Sequence, residues 1–335
     1  MHRFSIGHWN ERGPIAWLLA PLSLLFAAGV SLRRRAYRAG LAAGVRLPVP
    51  TIVVGNFTVG GAGKTPLTIW LVERLRDAGW RPGVVSCGYG GTAPGSRAVT
   101  AASDPREDGD EPVLIARRTG APGFVNPDRA AAAVALLAAH PDVNVIVCDD
   151  GLQHLRLGRD IEIAVVDARG YGNGWLMPAG PLRECPRVVD ALVQNGGGAS
   201  TGRQSGLRMH LAFERLYPVH APDQTIDHTM LAGRRLHAVA GIGAPARFFA
   251  TLRELGLVAT EHAFPDHHPF TDADLRYPSC DLILMTEKDA VKCARFGRTD
   301  LVAVQVGAVL DPADESALIR LVTQKLKTPH GRSLA

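Results

Sequence analysis

Residues 51–66, TIVVGNFTVGGAGKTP, decide the fold class of this chain. The apolar, β-branched residues 51–55 predict a short buried strand, and residues 64–78 predict a helix with Leu67, Leu71 and Leu75 on one face. A glycine-rich loop separates the two elements. A strand, a glycine-rich loop and a helix in this order are the context that a phosphate-binding P-loop requires. The stretch therefore predicts a nucleotide-binding α/β protein.

The residues of this loop fit phosphate chemistry. Glycines let backbone N–H groups turn inward toward phosphate oxygens, and the helix N-terminus adds partial positive charge. Lys64 is expected to reach the β- and γ-phosphates, and the Thr65 hydroxyl is expected to bind Mg²⁺. The usual pattern has glycine where this chain has Thr58. The candidate nucleotide-binding residues are Thr58, Gly60, Gly61, Ala62, Gly63, Lys64 and Thr65.

A second acidic motif supports the P-loop interpretation. Residues 143–148, VNVIVC, predict a buried strand that ends on Asp149 and Asp150. An apolar strand that ends in aspartate is typical of the acid that holds Mg²⁺ beside a P-loop. Adjacent carboxylates point in different directions, so one is expected at the metal and one at a neighbouring group. A simple turn of the Asp-Asp-Gly type is the alternative, and the nearby P-loop makes it the weaker one.

Strand and helix patterns alternate around these motifs. Strands are predicted at 83–86 and 161–167, and a helix at 127–140. The polar segment 94–109, punctuated by glycine and proline, is expected to be a loop. This alternation predicts an α/β fold with a P-loop NTPase-type parallel sheet and helices on both faces.

A glycine- and serine-rich stretch suggests where the chain divides. Residues 194–206, QNGGGASTGRQSG, are typical of a flexible linker. We expect an N-terminal helix with its basic flank at 1–40, a nucleotide-binding domain at 41–206 and a smaller α/β domain at 207–330. In that smaller domain the pattern predicts strands at 208–216, 236–240, 281–285 and 301–306, and helices at 245–255 and 313–325.

The N-terminus has the pattern of a membrane-associated helix. Residues 14–32 carry no ionisable side chain, and arginines follow at 33–35. About 20 helical residues cross a bilayer core, and arginines mark the cytoplasmic side. A cleaved signal peptide would carry its arginines before the apolar run. A spanning helix despite Pro21 and a helix lying in the interface both stay open, and a buried globular helix is the weaker alternative.

Charge and cysteine content argue against several protein classes. The net charge is +5, but residues 1–50 hold seven arginines and one glutamate, so the other 285 residues carry a net charge of −1. A nucleic-acid-binding body is therefore not expected. Five cysteines without a CxxC pair argue against a disulfide scaffold and against a cysteine zinc site.

Eight motifs in order resemble the tetraacyldisaccharide 4'-kinase family, the lipid A 4'-kinases of lipopolysaccharide biosynthesis. The resemblance extends from about residue 12 to about residue 325. The family also carries threonine at the position of Thr58, but it usually has arginine where this chain has Cys87. The matching segments are VGNFTVGGAGKTP (54–66), GYGG (88–91), GDEP (109–112), DDGLQH (149–154), GPLRE (180–184), AGIG (240–243), DHH (266–268) and TEKDAVK (286–292).

The resemblance implies an activity and a location. Members of the family transfer the γ-phosphate of ATP, with Mg²⁺, to the 4'-hydroxyl of a tetraacyl glucosamine disaccharide 1-phosphate. They act at the cytoplasmic face of the bacterial inner membrane. The expected partners are thus a lipid disaccharide substrate and that membrane, with no nucleic acid and no obligate protein partner.

The resemblance also implies roles for individual residues. Asp110 is expected to be the base that faces the sugar hydroxyl, with His267 as its partner and His268 as the second choice. Asp149 and Asp150 correspond to the acidic pair beside the metal. Glu287, Lys288 and Asp289 match the TEKD segment without an assigned role. Residues expected to contact substrate or to support the site are Glu111, Gln153, His154, Arg183 and Glu184.

Two other functions are weighed against this interpretation. Residues 241–246, GIGAPA, follow a predicted strand, and Glu261 lies 20 residues beyond Gly241, which resembles a dinucleotide-binding fingerprint. That interpretation leaves the P-loop and the acidic pair unused. A membrane-bound ATPase switch would use the P-loop equally well, but it would not need a lipid acceptor. For the kinase we expect an active-site cleft between two domains, whose closure brings Asp110 to His267.

Overall fold

The computed structural model describes residues 6–88, 91, 95–197 and 204–327. We call residues 6–197 the N-terminal part and residues 204–327 the C-terminal part. The strands of the N-terminal part are β1 (Thr51–Gly55), β2 (Pro82–Ser86), β3 (Arg97–Val99), β4 (Gly123–Val125), β5 (Val145–Cys148), β6 (Ile161–Asp167) and β7 (Ala191–Asn195). Those of the C-terminal part are β8 (Leu207–Pro218), β9 (Leu236–Ala240), β10 (Ala259–Ala263), β11 (Leu282–Thr286) and β12 (Leu301–Leu310).

The helices alternate with these strands. In the N-terminal part they are α1 (Pro14–Arg38), α2 (Lys64–Asp77), α3 (Pro105–Asp108), α4 (Asp110–Thr119) and α5 (Arg129–Ala139). In the C-terminal part they are α6 (Pro245–Glu254), α7 (Glu287–Cys293) and α8 (Pro312–Lys327). Short 3₁₀ turns lie at Ile6–Trp9, His228–Leu231, Asp272–Leu275 and Ala294–Phe296.

Within the described residues, twelve strands form one continuous sheet. Their order is β10-β9-β11-β12-β8-β7-β6-β1-β5-β2-β4-β3. Neighbouring strands are parallel except in the β3–β4 and β8–β12 pairs, which are antiparallel. The predicted α/β class is therefore confirmed. Because the sheet continues from β7 to β8, the division of the chain near residue 206 stays a prediction.

The parallel strands of the N-terminal part and the parallel strands of the C-terminal part run in opposite directions, with their carboxyl ends toward each other. Only residues 207–209 of β8 pair with β7, and the rest of β8 extends beyond the carboxyl end of β7. β12 runs back antiparallel along β8, and β11 and β9 follow the direction of β12. The loops after β1 and β5 therefore face the loops after β9 and β11 across a cleft, which is where an open α/β sheet binds its ligands.

Helices cover both faces of the sheet. On one face, Leu67 of α2 and Ile115 of α4 pack against Ile52 of β1 in one apolar core. On the other face, Leu136 of α5 packs with Val53 of the same strand. The last helix, α8, joins the first of these cores through Leu318, Val322 and Leu326.

Helix α1 stands apart from these cores. In the described part of the chain it is the helix that is long and apolar enough to cross a membrane by length and composition. Of its side chains, only Ala16 and Ser23 are buried, and the Ser23 hydroxyl donates to the Leu176 carbonyl at 2.8 Å. Its exposed large apolar side chains are Ile15, Trp17, Leu18, Leu22, Leu24, Leu25 and Leu32. The globular-core alternative for this helix is therefore not supported.

Several local expectations change in the structure. Residues 94–109 contain β3 and α3, so the expectation of an unbroken loop was wrong; Asp104 caps α3 by accepting from the Arg106 N–H. Elements α4, α7, β4, β7 and β10 were not predicted. In the fingerprint-like segment, Glu261 is exposed on β10 and pairs with Arg253. Tyr89 and Gly90 of the GYGG motif and residues 198–203 of the predicted linker lie outside the described residues.

Candidate active site

The P-loop is held in shape by two asparagines. Gly60 and Gly63 have φ values of 99° and 94°, which only glycine adopts readily. Asn56 donates to the Gly60 carbonyl at 3.2 Å and accepts from Lys64 Nζ at 3.2 Å. Asn195, at the end of β7, donates to the carbonyl of Ala62 at 2.9 Å. The loop is thus fixed by the residue that follows β1 and by the end of β7, which lies two strands from β1 in the sheet.

The two aspartates after β5 diverge as predicted. Asp149 is fully buried, and its Oδ1 accepts from the Thr68 hydroxyl at 2.9 Å. Burial, with Glu111 nearby, raises the pKa of Asp149 to about 7. Asp150 has a φ of 48° and turns toward Lys64 Nζ at 3.6 Å and Arg183 Nη1 at 2.9 Å. Burial acts to raise the pKa of Asp150, but these two cations outweigh it and hold that pKa below its ordinary value.

One buried atom at this edge fits a divalent cation. Asp149 Oδ2 is buried, and no hydrogen-bond donor of the described residues reaches it. A buried carboxylate oxygen is costly without a partner. Thr65 follows Lys64 in the first turn of α2, so a hydroxyl and a carboxylate come from the two segments that usually supply them. Among the described residues, no group of three or more His, Cys, Asp or Glu side chains is arranged to hold a metal ion.

The opposite edge of the cleft holds the predicted dyad. His267 Nδ1 lies 3.1 Å from Asp110 Oδ2. Asp110 opens α4 and is nearly buried, with 5% of its side chain exposed against 23% for His267. The second oxygen of Asp110 accepts from the Glu111 N–H at 2.9 Å. His267 has a φ of 58°, in the left-handed region that a side chain rarely adopts and that clusters at functional sites.

The charges of the dyad are mutually stabilised. Burial acts to raise the pKa of Asp110, but His267, Lys288 and Lys292 together hold it below its ordinary value. Burial acts to lower the pKa of His267, and the hydrogen bond to Asp110 outweighs it, so this pKa is raised. At neutral pH, Asp110 is therefore an anion that favours a proton on the imidazole.

A glycine turn brings the two edges into contact. A Cβ atom on Gly243 would lie 3.0 Å from the backbone nitrogen of Gly61. The preceding Gly241 N–H donates to the buried Asp289 at 2.9 Å, and the Gly241 carbonyl accepts from the His267 N–H at 3.2 Å. The P-loop and the dyad are thus linked through one turn after β9.

Most of the other predicted residues line the same region. Gln153 donates to the Asn56 carbonyl at 2.9 Å and to Glu184 Oε1 at 2.8 Å. Arg34, from the end of α1, reaches the other oxygen of Glu184 at 3.1 Å. Glu111 accepts from Lys288 Nζ at 2.9 Å.

Three predicted residues face elsewhere. Thr58 is buried, and its backbone forms a bridge with Leu182. His154 pairs with Asp128 at 3.3 Å, and burial together with nearby arginines lowers its pKa to about 4. His268 turns to Asp274 at 3.3 Å, which leaves His267 as the histidine of the dyad.

Four residues that contact the site were given no role from the sequence: Asn56, Asn195, Lys288 and Lys292. Asn56 lies between the strand and the glycine loop, so its position was a usable signal. Asn195 carried no such sequence signal, because its strand, β7, was not predicted. Lys292 lies 2.7 Å from Asp289 and 3.9 Å from Asp110, which the unpredicted helix α7 makes possible.

The site combines a P-loop and a buried carboxylate at one edge of the cleft with an aspartate–histidine pair at the other. This combination is that of a P-loop α/β enzyme. The profile of the family described as Tetraacyldisaccharide-1-P 4'-kinase matches residues 15–327. A tetraacyldisaccharide 4'-kinase from Azoarcus sp. (strain BH72) is 53% identical over 299 residues, covering 88% of each chain. One from Dechloromonas aromatica (strain RCB) is 50% identical over 333 residues, covering 97% of this chain and 96% of the relative.

A solved structure is also similar. The crystal structure of LpxK from Aquifex aeolicus in complex with ATP superposes with a TM-score of 0.78 at 29% sequence identity, and covers 93% of this chain and 99% of that one. The chain belongs to the tetraacyldisaccharide 4'-kinase family.

Proposed function

We propose that this protein transfers the γ-phosphoryl group of ATP to the 4'-hydroxyl of a tetraacyl glucosamine disaccharide 1-phosphate. The observation that carries the proposal is the contact between the two edges of the cleft. Through the turn at Gly243, the P-loop with Lys64 lies beside the segment that holds His267 against Asp110. A phosphate donor and a hydroxyl acceptor would meet between them.

At the first edge, the chain supplies positioning and charge neutralisation. Lys64 Nζ lies 3.2 Å from Asn56 Oδ1 and 3.6 Å from Asp150 Oδ1, so the chain's own side chains orient its ammonium. Phosphoryl transfer depends mainly on such placement and on neutralising oxygen charge. Thr65 and Asp149 would hold Mg²⁺, which would supply further positive charge at the phosphate oxygens.

At the second edge, we assign the proton acceptor to His267. Both oxygens of Asp110 are already engaged, and this carboxylate is almost inaccessible. This assignment differs from the expectation above, in which Asp110 faces the sugar hydroxyl. The hydroxyl O–H bond breaks as its proton forms an N–H bond at Nε2 of His267. The oxygen's electron pair forms the bond to the γ-phosphorus, the bond to the bridging oxygen breaks, and ADP leaves with that electron pair.

The exposed apolar side chains of α1 support a location of the enzyme at a membrane. Leu18 and Leu25 are 79% and 71% exposed, and arginines follow the apolar run. We assign the arginine end and the body to the cytoplasmic face of the inner membrane. The double variant Leu18→Ser, Leu25→Ser should bind vesicles containing anionic lipid at least about tenfold more weakly than the parent protein. Val258→Ser, at another exposed apolar position, is the control. Equal vesicle binding by the double variant would contradict this placement.

The activity is tested with the purified protein in detergent. Mg²⁺, γ-labelled ATP and the tetraacyl disaccharide 1-phosphate are supplied, and label is followed on the lipid and as free phosphate. We expect label on the lipid only with Mg²⁺, and its loss in Lys64→Ala. Release of free phosphate at the same rate with and without lipid would overturn the kinase and favour the ATPase switch.

A further inference from the structure

Lys288, from the TEKD segment, contacts the dyad although no role is yet assigned to it. Its Nζ lies 3.2 Å from Nε2 of His267 and 2.9 Å from Oε1 of Glu111. Asp266 follows at 3.5 Å. The side chain is 16% exposed. Lys288 therefore occupies the side of the imidazole that lies opposite Asp110.

The chemistry of these groups fixes the position of the imidazole proton. Burial acts to lower the pKa of Lys288, but Glu111, Asp110 and Asp266 outweigh it, so this pKa is raised and the group is an ammonium. An ammonium has three donors and no acceptor. In the neutral imidazole, Nε2 of His267 can then only accept from Lys288, and Nδ1 carries the hydrogen that is donated to Asp110.

We propose that Lys288 is a positioning residue that holds His267 as the neutral Nδ1–H tautomer, with the lone pair on Nε2, until the sugar hydroxyl replaces the ammonium there. In this tautomer the atom that faces the ammonium is the one able to take a proton. The other tautomer would carry hydrogen at Nε2 and could not act as a base at that atom. The proposal rests on the proposed function, because it concerns the acceptor of the hydroxyl proton.

Lys288 and Asp110 act on the imidazole in opposite directions. Asp110 favours a second proton on the ring, whereas the ammonium disfavours it. Together they orient the ring, and above its raised pKa the atom without hydrogen is Nε2. The charged groups that face His267 from all surrounding segments are Asp110 and Glu111 of α4, Asp266 beside it, and Lys288 and Lys292 of α7.

The tautomer is read directly by NMR of the full chain in detergent micelles, labelled with ¹⁵N-histidine. The variant His267→Gln identifies the signal of this residue. At pH above the titration midpoint, we expect hydrogen on Nδ1 and a bare Nε2. Hydrogen on Nε2 of the parent protein overturns the proposal, and this result needs no kinase activity.

The contribution of Lys288 is read from the same signal as a function of pH. Lys288→Met should raise the titration midpoint of His267 by about 1 pH unit or more, because the variant lacks the positive charge that disfavours a second proton on the imidazole. Lys288→Arg should keep the parent midpoint, and Lys325→Met, a charge loss on α8, is the control. An unchanged midpoint in a Lys288→Met protein with the parent circular dichroism spectrum overturns the proposal.

Kinetics then connect the tautomer to the reaction. The acidic limb of the pH profile of kcat/KM should move to higher pH in Lys288→Met and to lower pH in Asp110→Asn. Activity lost in Lys288→Met at pH 7 should thus recover at higher pH, which a purely structural loss would not do. If no lipid is phosphorylated, the proposed function fails while the NMR result stands. If lipid is phosphorylated but the acidic limb of the Lys288→Met profile coincides with that of the parent protein, the inference about Lys288 fails.

Discussion

The two edges of the cleft are built in different ways. The P-loop itself comes from one continuous stretch, in which strand, loop and helix follow each other within residues 51–77, and Asp149 and Asp150 join it from the end of β5. The dyad edge comes from three separate segments: the start of α4, the turn that carries His267, and α7. Asp110 and His267 are 157 positions apart in the chain. A local site depends on a few neighbouring residues, whereas an assembled site depends on the packing of every element that contributes to it.

The sharpest test of this difference compares one residue from each edge. Lys64→Ala should lower kcat at least about a thousandfold, because charge neutralisation carries most of phosphoryl transfer. His267→Ala should lower it about a hundredfold, the lower end for a proton acceptor. Steady-state kinetics with saturating lipid and ATP measure both, with Lys325→Met as a distant control. A larger loss in His267→Ala would reverse the ranking of the two edges.

The next effect concerns the metal side of the P-loop edge. Asp149→Asn should lower kcat about a hundredfold and weaken the dependence of the rate on Mg²⁺, because the buried oxygen of this side chain fits the cation. Asp142→Asn changes an exposed acid before the same strand and should leave the rate unchanged. Titration of activity with Mg²⁺ gives the measurement. A parent-like Mg²⁺ dependence in Asp149→Asn would remove this residue from the metal site.

The assembled edge also depends on a buried ion pair that joins α4 to α7. Arg118 lies 2.7 Å from Glu287, and Tyr217 donates to the same carboxylate at 3.2 Å. Burial raises the pKa of Glu287 from 4.5 to about 7, despite Arg118. A carboxyl whose pKa is raised in the folded state stabilises that state below its unfolded pKa, and the gain is lost as pH rises through the folded pKa.

This pair predicts a pH-dependent stability. The free energy of unfolding of the parent protein should fall by about 1–3 kcal/mol between pH 5 and pH 8 through this group. Glu287→Gln removes that dependence. The loss of unfolding free energy in this variant, relative to the parent, should therefore be larger at pH 5 than at pH 8. Denaturant unfolding at both values measures it, with exposed Glu254→Gln as the control. A deficit that grows with pH would show that Glu287 is ionised throughout.

The smallest expected effect tests the contact between the edges. Gly243→Ala places a Cβ 3.0 Å from the Gly61 nitrogen, closer than ordinary side-chain contacts, so the P-loop backbone must shift slightly. We expect KM for ATP to rise about threefold to tenfold, with a smaller change in kcat. Gly29→Ala alters a glycine of α1 that has ordinary helical φ and nothing within 4 Å of the added Cβ, and it serves as the control for ATP binding. An unchanged KM would mean that the two edges are independent.

The sequence predicted the local edge well and the assembled edge only in part. Lys64, Asp149 and Asp150 lie where their strand and helix patterns placed them. Helix α4 was missed because its first residues, Asp-Glu-Pro after a glycine, have the composition of a loop, yet Gly109 ends α3 and opens α4. The pairing of Asp110 with His267 came only from the family resemblance. The contact of Lys288 with His267 depends on how α7 packs on α4, and no pattern within either segment encodes that packing.

The position of α8 has a consequence for the order in which the protein is made. Leu318, Val322 and Leu326 belong to the same core as Ile52 and Leu67. A ribosome completes the P-loop region long before it synthesises this helix. During that interval the apolar surface that α8 covers in the folded protein stays exposed, so the unfinished chain is a natural client for a chaperone until α8 is made.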